Sequence, residues 1–184
     1  MNDSDSNKTP EPIAAGSLSV PKAQIVLVEP EIPNNTGNIG RTCVTAGLGL
    51  HLVHPLGFDI DEKACRRAGL DYWPRLSLTE HADLDCYERD RPRKAGIWLF
   101  TSKGTRTLYE AEMQPGDHLV FGRESKGLPR EMIERHADRQ VCIPMQPDER
   151  SLNLSTCVGI AAYEFVRQMI VQSRIQVNDS GRVV

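Results

Sequence analysis

The chain lacks most of the signals that would place it in a membrane, outside the cell or on nucleic acid by charge alone. No apolar run approaches the roughly 18 residues of a membrane span. The amino terminus, with Asn2, Asp3, Ser4, Asp5, Ser6 and Asn7 ahead of Pro10 and Pro12, has neither the basic start nor the apolar middle of a signal peptide. Charge of one sign is missing too, since 22 Lys and Arg stand against 25 Asp and Glu for a formal net charge of -3. A chain so balanced does not hold RNA by bulk charge, so any RNA contact has to be a local patch. The five cysteines, Cys43, Cys65, Cys86, Cys142 and Cys157, contain no C-x-x-C pair and are odd in number. A soluble protein of the reduced cytoplasm is the simplest reading. Also absent is G-x-G-x-x-G after a strand, which counts against a Rossmann dinucleotide site.

What is present is one domain's worth of alternating strand and helix signals in 184 residues. Residues 1–21 read as a disordered tail, 22–172 as a single domain, and 173–184 as a second flexible tail. Within the domain, Gln24 to Val28 is a continuous β-favouring run, and Ile39 to Ala46 has helical spacing after a polar Asn/Thr/Gly entry. Leu50 to Val53 predicts a strand, Asp61 to Ala68 a helix, Leu78 to Glu88 another helix, and Ile97 to Phe100 a strand. His118 to Phe121 and Gln140 to Ile143 are further strands flanking a helix around Pro129 to Arg135. Asn153 to Val171 is a long closing helix. Such alternation implies an α/β fold, a mostly parallel sheet covered on both faces.

Three loops carry the candidate chemistry. The first is Asn34-Asn35-Thr36-Gly37-Asn38-Ile39-Gly40-Arg41. Here Gly37 and Gly40 let backbone approach a ligand and the next helix offers free N–H groups to an anion; equally, Asn34 to Thr36 cap a helix and Gly37 turns the chain. Arg41 can fork onto a phosphate or polarise a ribose hydroxyl, or it is a solvated helix residue. The second loop, Gly122-Arg123-Glu124-Ser125-Lys126-Gly127-Leu128-Pro129, follows the strand ending at Phe121. Its Arg123 and Lys126 are salt-bridge partners or RNA phosphate contacts. The third runs from Ile143-Pro144-Met145 to Ser151-Leu152-Asn153-Leu154-Ser155, where backbone groups can read a base, or where Asn153 simply caps the last helix. Phe100 and Thr101 close another strand and are secondary candidates.

Other polar groups read more weakly. His51 and His54 have no Cys or carboxylate neighbours at ligand spacing, so no metal site is expected. Arg66-Arg67 and the group Arg89, Arg91, Arg93 and Lys94 are the best basic clusters, with Tyr72 and Trp73 available to stack on bases.

Taken together, the three loops resemble the three motifs of the SpoU-type 2′-O-ribose methyltransferases of the SPOUT superfamily. The resemblance spans about residues 22 to 172. It implies a SPOUT α/β fold with a C-terminal trefoil knot, S-adenosylmethionine as methyl donor with S-adenosylhomocysteine as product, no metal, an RNA substrate and a homodimer whose active site draws on both subunits. It implies that Arg41 is the principal catalytic residue, with Asn35, Glu124, Ser151 and Asn153 around the reacting groups. Phe100, Thr101, Gly122, Ile143, Met145, Ser151 and Leu152 would line the donor pocket. A guanidinium has a pKa above about 12 and scarcely deprotonates. Arg41 is therefore expected to orient the hydroxyl and stabilise charge, with proton loss assisted by the substrate phosphate.

Glu29-Pro30-Glu31-Ile32-Pro33 and Arg67-Ala68-Gly69-Leu70-Asp71-Tyr72 are similar to the small members of the family that methylate the wobble ribose, nucleotide 34, of certain leucine tRNAs at cytidine or uridine. Asn34 stands where that group often has a second proline. The alternatives are another tRNA or rRNA ribose, or a noncatalytic RNA-binding module on the same fold.

Overall fold

Each strand predicted from a continuous apolar run is buried on both faces, because parallel strands need crossovers that cover the sheet twice. The computed structural model describes residues 22–58 and 71–183. These form strands β1 (Gln24–Val28), β2 (Gly49–Val53), β3 (Leu78–His81), β4 (Ile97–Phe100), β5 (Arg106–Thr107), β6 (His118–Phe121) and β7 (Gln140–Cys142). The described helices are α1 (Pro33–Ala46), α2 (Leu84–Asp90), α3 (Arg130–Arg135) and α4 (Leu154–Val171). The strands make one sheet, all parallel, in the order β3-β2-β1-β6-β4-β7-β5.

Side-chain alternation along each strand divides the interior into two cores. Ile25, Leu27, Leu50, Leu52, Leu119 and Phe121 pack with Ile39 and Cys43 of α1 and with Val158, Ala162 and Phe165 of α4. Val26, Val28, Leu99 and Val120 point the other way, onto Tyr87 of α2 and Met132 of α3. Gln168 of α4 accepts from the Met113 N–H at 2.9 Å and donates to the Ala111 carbonyl at 2.8 Å, which locks the segment entering β6 onto the helix.

The fold departs from the predicted elements at four places. Leu78 to Glu88 is not one helix: its first half pairs with β2 as β3, and α2 begins only after Asp83, whose carboxylate caps it by accepting from the Cys86 N–H at 2.7 Å. The polar entry to α1 is not a loop, because Pro33 occupies the first helical turn and Asn34 to Gly40 are already helical. Edge strand β5, only two residues long, carries no sequence signal. Beyond α4, the segment expected as a loose tail is anchored at Ile175, buried in the first core, while residues 176–183 are exposed and carry one bridge, Val177 to Val183. The helix predicted over 61–68 and the tail 1–21 lie outside the described residues. No helix among those described is long and apolar enough to cross a membrane.

At the amino ends of β1 and β6 the second core turns polar. His51 Nδ1 lies 2.9 Å from His81 Nε2 with the rings stacked, and His118 Nδ1 lies 3.1 Å from the Tyr87 hydroxyl. Burial, reinforced by His81, pushes His51 down to about 4; burial, with His51 and Arg91 nearby, pushes His118 down to about 3. His81 is also lowered by burial, against the opposing pull of Asp90. Above the ordinary histidine value of 6.5 these rings are neutral both folded and unfolded. Below it the unfolded chain takes up protons that the folded chain refuses. Stability is therefore expected to fall as pH drops from about 6.5 to about 4, with about two protons taken up on unfolding, from His51 and His118. Calorimetric midpoints across that range, in the parent and in His51→Gln, check this; a pH-independent difference between the two would contradict it.

Candidate active site

In an open parallel sheet, ligands bind outside the carboxyl ends of the strands, where the strand order reverses. The reversal here falls at β1 and β6, and a cleft of about 540 Å³ opens at that edge. This volume lies within the roughly 300 to 1,000 Å³ of small-molecule sites. Thr101 to Lys103 after β4, Gly122 to Leu128 after β6, and Ile143 and Met145 after β7 line it, together with Ile32 and Asn35 of the α1 entry and Ser151 to Leu154 at the start of α4. Phe100 and Phe121, stacked with centroids 4.5 Å apart, contribute apolar surface. All three sequence loops therefore meet in one place. Of the residues singled out from sequence, Asn35, Phe100, Thr101, Gly122, Glu124, Ile143, Met145, Ser151, Leu152 and Asn153 border the cleft, and Arg41 does not.

Asn35 joins the loops. Buried on the inner side of α1, it donates from Nδ2 to Glu124 Oε1 at 2.9 Å and accepts at Oδ1 from Asn153 Nδ2 at 3.0 Å. Asn153 in turn caps α4, its Oδ1 accepting from the N–H groups of Ser155 at 2.9 Å and Thr156 at 3.3 Å. The capping role read from sequence is seen, and the same side chain borders the cleft. Glu124 also accepts at Oε2 from the Glu31 N–H at 2.8 Å. Both carboxylate oxygens are occupied by donors, which fixes Glu124 in one orientation.

The second loop is shaped by a close approach of backbone to backbone. Arg123 and Gly127 exchange two hydrogen bonds, at 3.1 and 2.9 Å, and a side chain at position 122 would run into the Gly127–Leu128 peptide. Gly122 is needed for that turn as well as for its place on the cleft. Arg123 forms an ion pair with Glu29. Of its two predicted roles, the salt bridge is the one seen.

Arg41 lies on α1 away from the cleft of its own chain. Its guanidinium sits 4.7 Å from the centre of the Tyr72 ring and 3.9 Å from Asp71, and its side chain is 58% exposed. The Tyr72 hydroxyl donates to the Gly37 carbonyl, and both Tyr72 and Trp73 pack against Gly40. Neither ring is available to stack on a base, since Tyr72 is 2% and Trp73 9% exposed. Aromatic residues after a basic stretch suggested an RNA face, but these two cover a helix instead. Within the predicted basic group, Arg91 is bound to Ala95 and Glu88, leaving Arg89, Arg93 and Lys94 exposed. Arg66 and Arg67 lie outside the described residues. His51 and His54 do not converge: His54 meets Glu80 at 2.8 Å while His51 turns into the core.

Sequence reasoning read Glu31 and Ile32 only as part of the segment Glu29 to Pro33 that resembles the small members of the family, and gave neither a role at the site. The signal that could have placed them is the pair of prolines, Pro30 and Pro33, which hold a rigid approach to α1.

A wholly parallel sheet with a ligand-sized cleft at its reversal edge, closed by three loops and a capped helix, defines an α/β protein built to hold a small molecule beside an open surface. Residues 22–163 match the model of the SpoU rRNA Methylase family. The chain is 46% identical over 146 residues to a tRNA (cytidine(34)-2′-O)-methyltransferase of Saccharophagus degradans, covering 79% of this chain and 94% of that protein. It superposes with a TM-score of 0.75 and 44% identity on a solved structure concerned with 2-OH methylation of C/U34 on tRNA, covering 80% of this chain and 91% of that one. An AdoMet-bound rRNA methyltransferase from Sinorhizobium meliloti follows at a TM-score of 0.72 and 25% identity, covering 82% of this chain and 58% of that one. The chain belongs to the SpoU methylase family and has its SPOUT α/β fold. It is by class a methyltransferase.

The Asn35 node yields a test. Asn35→Asp replaces the donor 2.9 Å from Glu124 with a second carboxylate. At neutral pH the two charges repel, and one carboxyl pKa rises. The variant is expected to lose on the order of 3 kcal/mol at pH 7 and to recover part of it near pH 5, relative to the parent at each pH. Paired denaturation curves measure this, and an equal loss at both values would count against the node.

Proposed function

We propose that this protein methylates the 2′-oxygen of the ribose at nucleotide 34, cytidine or uridine, in leucine tRNAs, with S-adenosylmethionine as donor. The observation that carries this reading is the meeting of all three loops at one cleft, in a chain 46% identical to a protein named for 2′-O-methylation of cytidine 34 in tRNA and 44% identical to a structure described for methylation of C/U34 on tRNA. The cleft fits the donor. Phe100, Ile143, Met145 and Leu152 offer apolar walls, and the loops that follow Thr101 and Gly122, with the segment at Ser151 ahead of α4, offer backbone groups for a base and a ribose. When bound there, S-adenosylmethionine supplies a methyl group on a sulfonium centre.

This chain's own residues have to bring a ribose hydroxyl into line and manage one proton. Glu124, fixed by Asn35 and the Glu31 N–H, and Asn153, fixed by its capping bonds, present oriented polar groups at the cleft mouth. Ser151 stands exposed beside them. Arg41 belongs to this reading through a second copy of the chain. Facing away from its own cleft, it would reach the cleft of the partner in a homodimer, orienting the hydroxyl and stabilising charge as it leaves. The exposed Ile32, Leu152, Tyr163 and Ile170, beside the cleft and along α4, support such an association. The trefoil knot belongs to the reading as well, as the resemblance to the family implies. A tRNA substrate would place the enzyme in the cytoplasm.

The experiment is methyl transfer from labelled S-adenosylmethionine to unmodified leucine tRNA transcripts, with nuclease mapping of the labelled nucleotide. Label on the ribose of nucleotide 34 is expected; label on another ribose would reassign the substrate, and absent donor binding would remove the enzyme reading. Arg41→Ala should bind the donor within about twofold of the parent while turnover falls by on the order of a hundredfold or more. Unchanged turnover would take Arg41 out of the mechanism.

A further inference from the structure

Asn35, Glu124 and Asn153, which join at the cleft, hold one another, and the chain of contacts ends at a residue with no assigned role. Glu31 lies between β1 and α1, outside the three loops, and touches the second loop twice. Its carboxylate accepts from the Ser125 N–H at Oε2, 2.9 Å, and from the Ser125 hydroxyl at Oε1, 2.8 Å. Its own N–H donates to Glu124 Oε2 at 2.8 Å. Adjacent residues 124 and 125 are thus gripped by the backbone and the side chain of one residue. Pro30 accepts from the Gly57 N–H at 2.9 Å, so the gripping segment is itself braced against the chain leaving β2. Lys126 sits near enough to favour the charged carboxylate.

Two features make this grip more than packing. First, the bonds to Ser125 are charge-assisted, and they engage both oxygens of the carboxylate. Second, Ser125 is exposed at the rim of the cleft, where a short loop has few apolar contacts to hold it. The Arg123–Gly127 turn fixes the ends of the loop but leaves Glu124 and Ser125 at its tip.

We propose that Glu31 is a positioning residue for the reaction: it clamps the tip of the second loop so that Glu124 meets Asn35, and it sets the cleft rim on which the RNA ribose is presented. The clamp rests on the function proposed above for the cleft. Its consequence is asymmetric. Loosening the tip disturbs the alignment of the reacting groups more than RNA capture, which depends on a wider surface, so the loss falls on kcat rather than on KM for RNA.

The test compares the full-length parent with Glu31→Ala and Glu31→Gln in three measurements: steady-state methyl transfer to tRNA transcript, thermal midpoint, and amide hydrogen exchange over residues 122 to 128. Glu31→Ala should lower kcat by about tenfold or more, with KM for RNA within about twofold. It should also speed exchange at Ser125 while the strands keep their protection. Glu31→Gln keeps one amide oxygen that accepts from Ser125 but not the charge, and should restore part of the rate. Should Glu31→Ala fold poorly, Ser125→Ala removes the hydroxyl half of the grip and should show a smaller loss of the same kind. Parent-like kcat and exchange in Glu31→Ala would overturn the proposal, as would a rate loss matched in Glu31→Gln and explained by a lowered midpoint. A parent that neither binds donor nor methylates RNA overturns the assigned function instead. The exchange contrast separates the two failures, because it needs no turnover.

Discussion

The arrangement of the cleft depends on the amide of Asn35. Buried, it touches both other loops, donating to Glu124 and accepting from Asn153. An amide suits this place because it carries a donor and an acceptor on one rigid plane, so a carboxylate on one side and an amide N–H on the other are both satisfied without a net charge. A carboxylate could not donate to Glu124, and an apolar residue would leave two polar partners stranded in a part-buried site. The helix start at Pro33 matters for the same reason: it puts Asn35 on the first turn of α1, facing inward, where an extended loop would not hold its direction.

Behind that node the sheet supplies rigidity and the loops supply chemistry. Both faces of the central strands are apolar, so β1, β4 and β6 are held by two independent cores, and their carboxyl ends form a fixed platform. The histidine cluster lies across the second-core face, with His118 opening β6, His51 in the middle of β2 and His81 closing β3. There burial keeps the rings neutral, and their hydrogen bonds with Tyr87 and with each other satisfy groups that the apolar core leaves unpartnered. The polar interior is therefore split, with a neutral ring cluster on that face and an amide-carboxylate network at the carboxyl edge.

Much of this was legible in the chain, and the limits have physical causes. The central strands announced themselves because burial on both faces leaves them almost wholly apolar, with Gln24, His51 and His118 the exceptions in β1, β2 and β6. Strand β3 did not, since Thr79 and Glu80 are exposed and its run merges with the helical spacing of α2. Asn34 to Gly37 carry loop-forming propensities, yet tertiary packing wins: Asn35, Thr36 and Gly37 are buried as helix. The loops could be named from their residues, but not the bonds joining them, because no local pattern encodes a contact between Asn35 and Asn153. Nor could the sequence say which way Arg41 faces. Three residues and a half per turn put it on a different side of α1 from Asn35, and only the helix start at Pro33 sets that phase.

The parallel order of the sheet has a consequence for how the chain is made. β1 pairs with β6, so Gln24 waits for His118 to be synthesised before its second edge is covered. Asn35 waits longer, for Glu124 at a separation of 89 residues and Asn153 at 118. On the ribosome, β1 can pair with β2 early, while the cleft lacks the wall at Ser151 to Leu154 until the helix that starts there emerges from the exit tunnel. The binding site is thus closed only after every described strand has been made, and a chain truncated before α4 carries all seven strands but not the closed cleft.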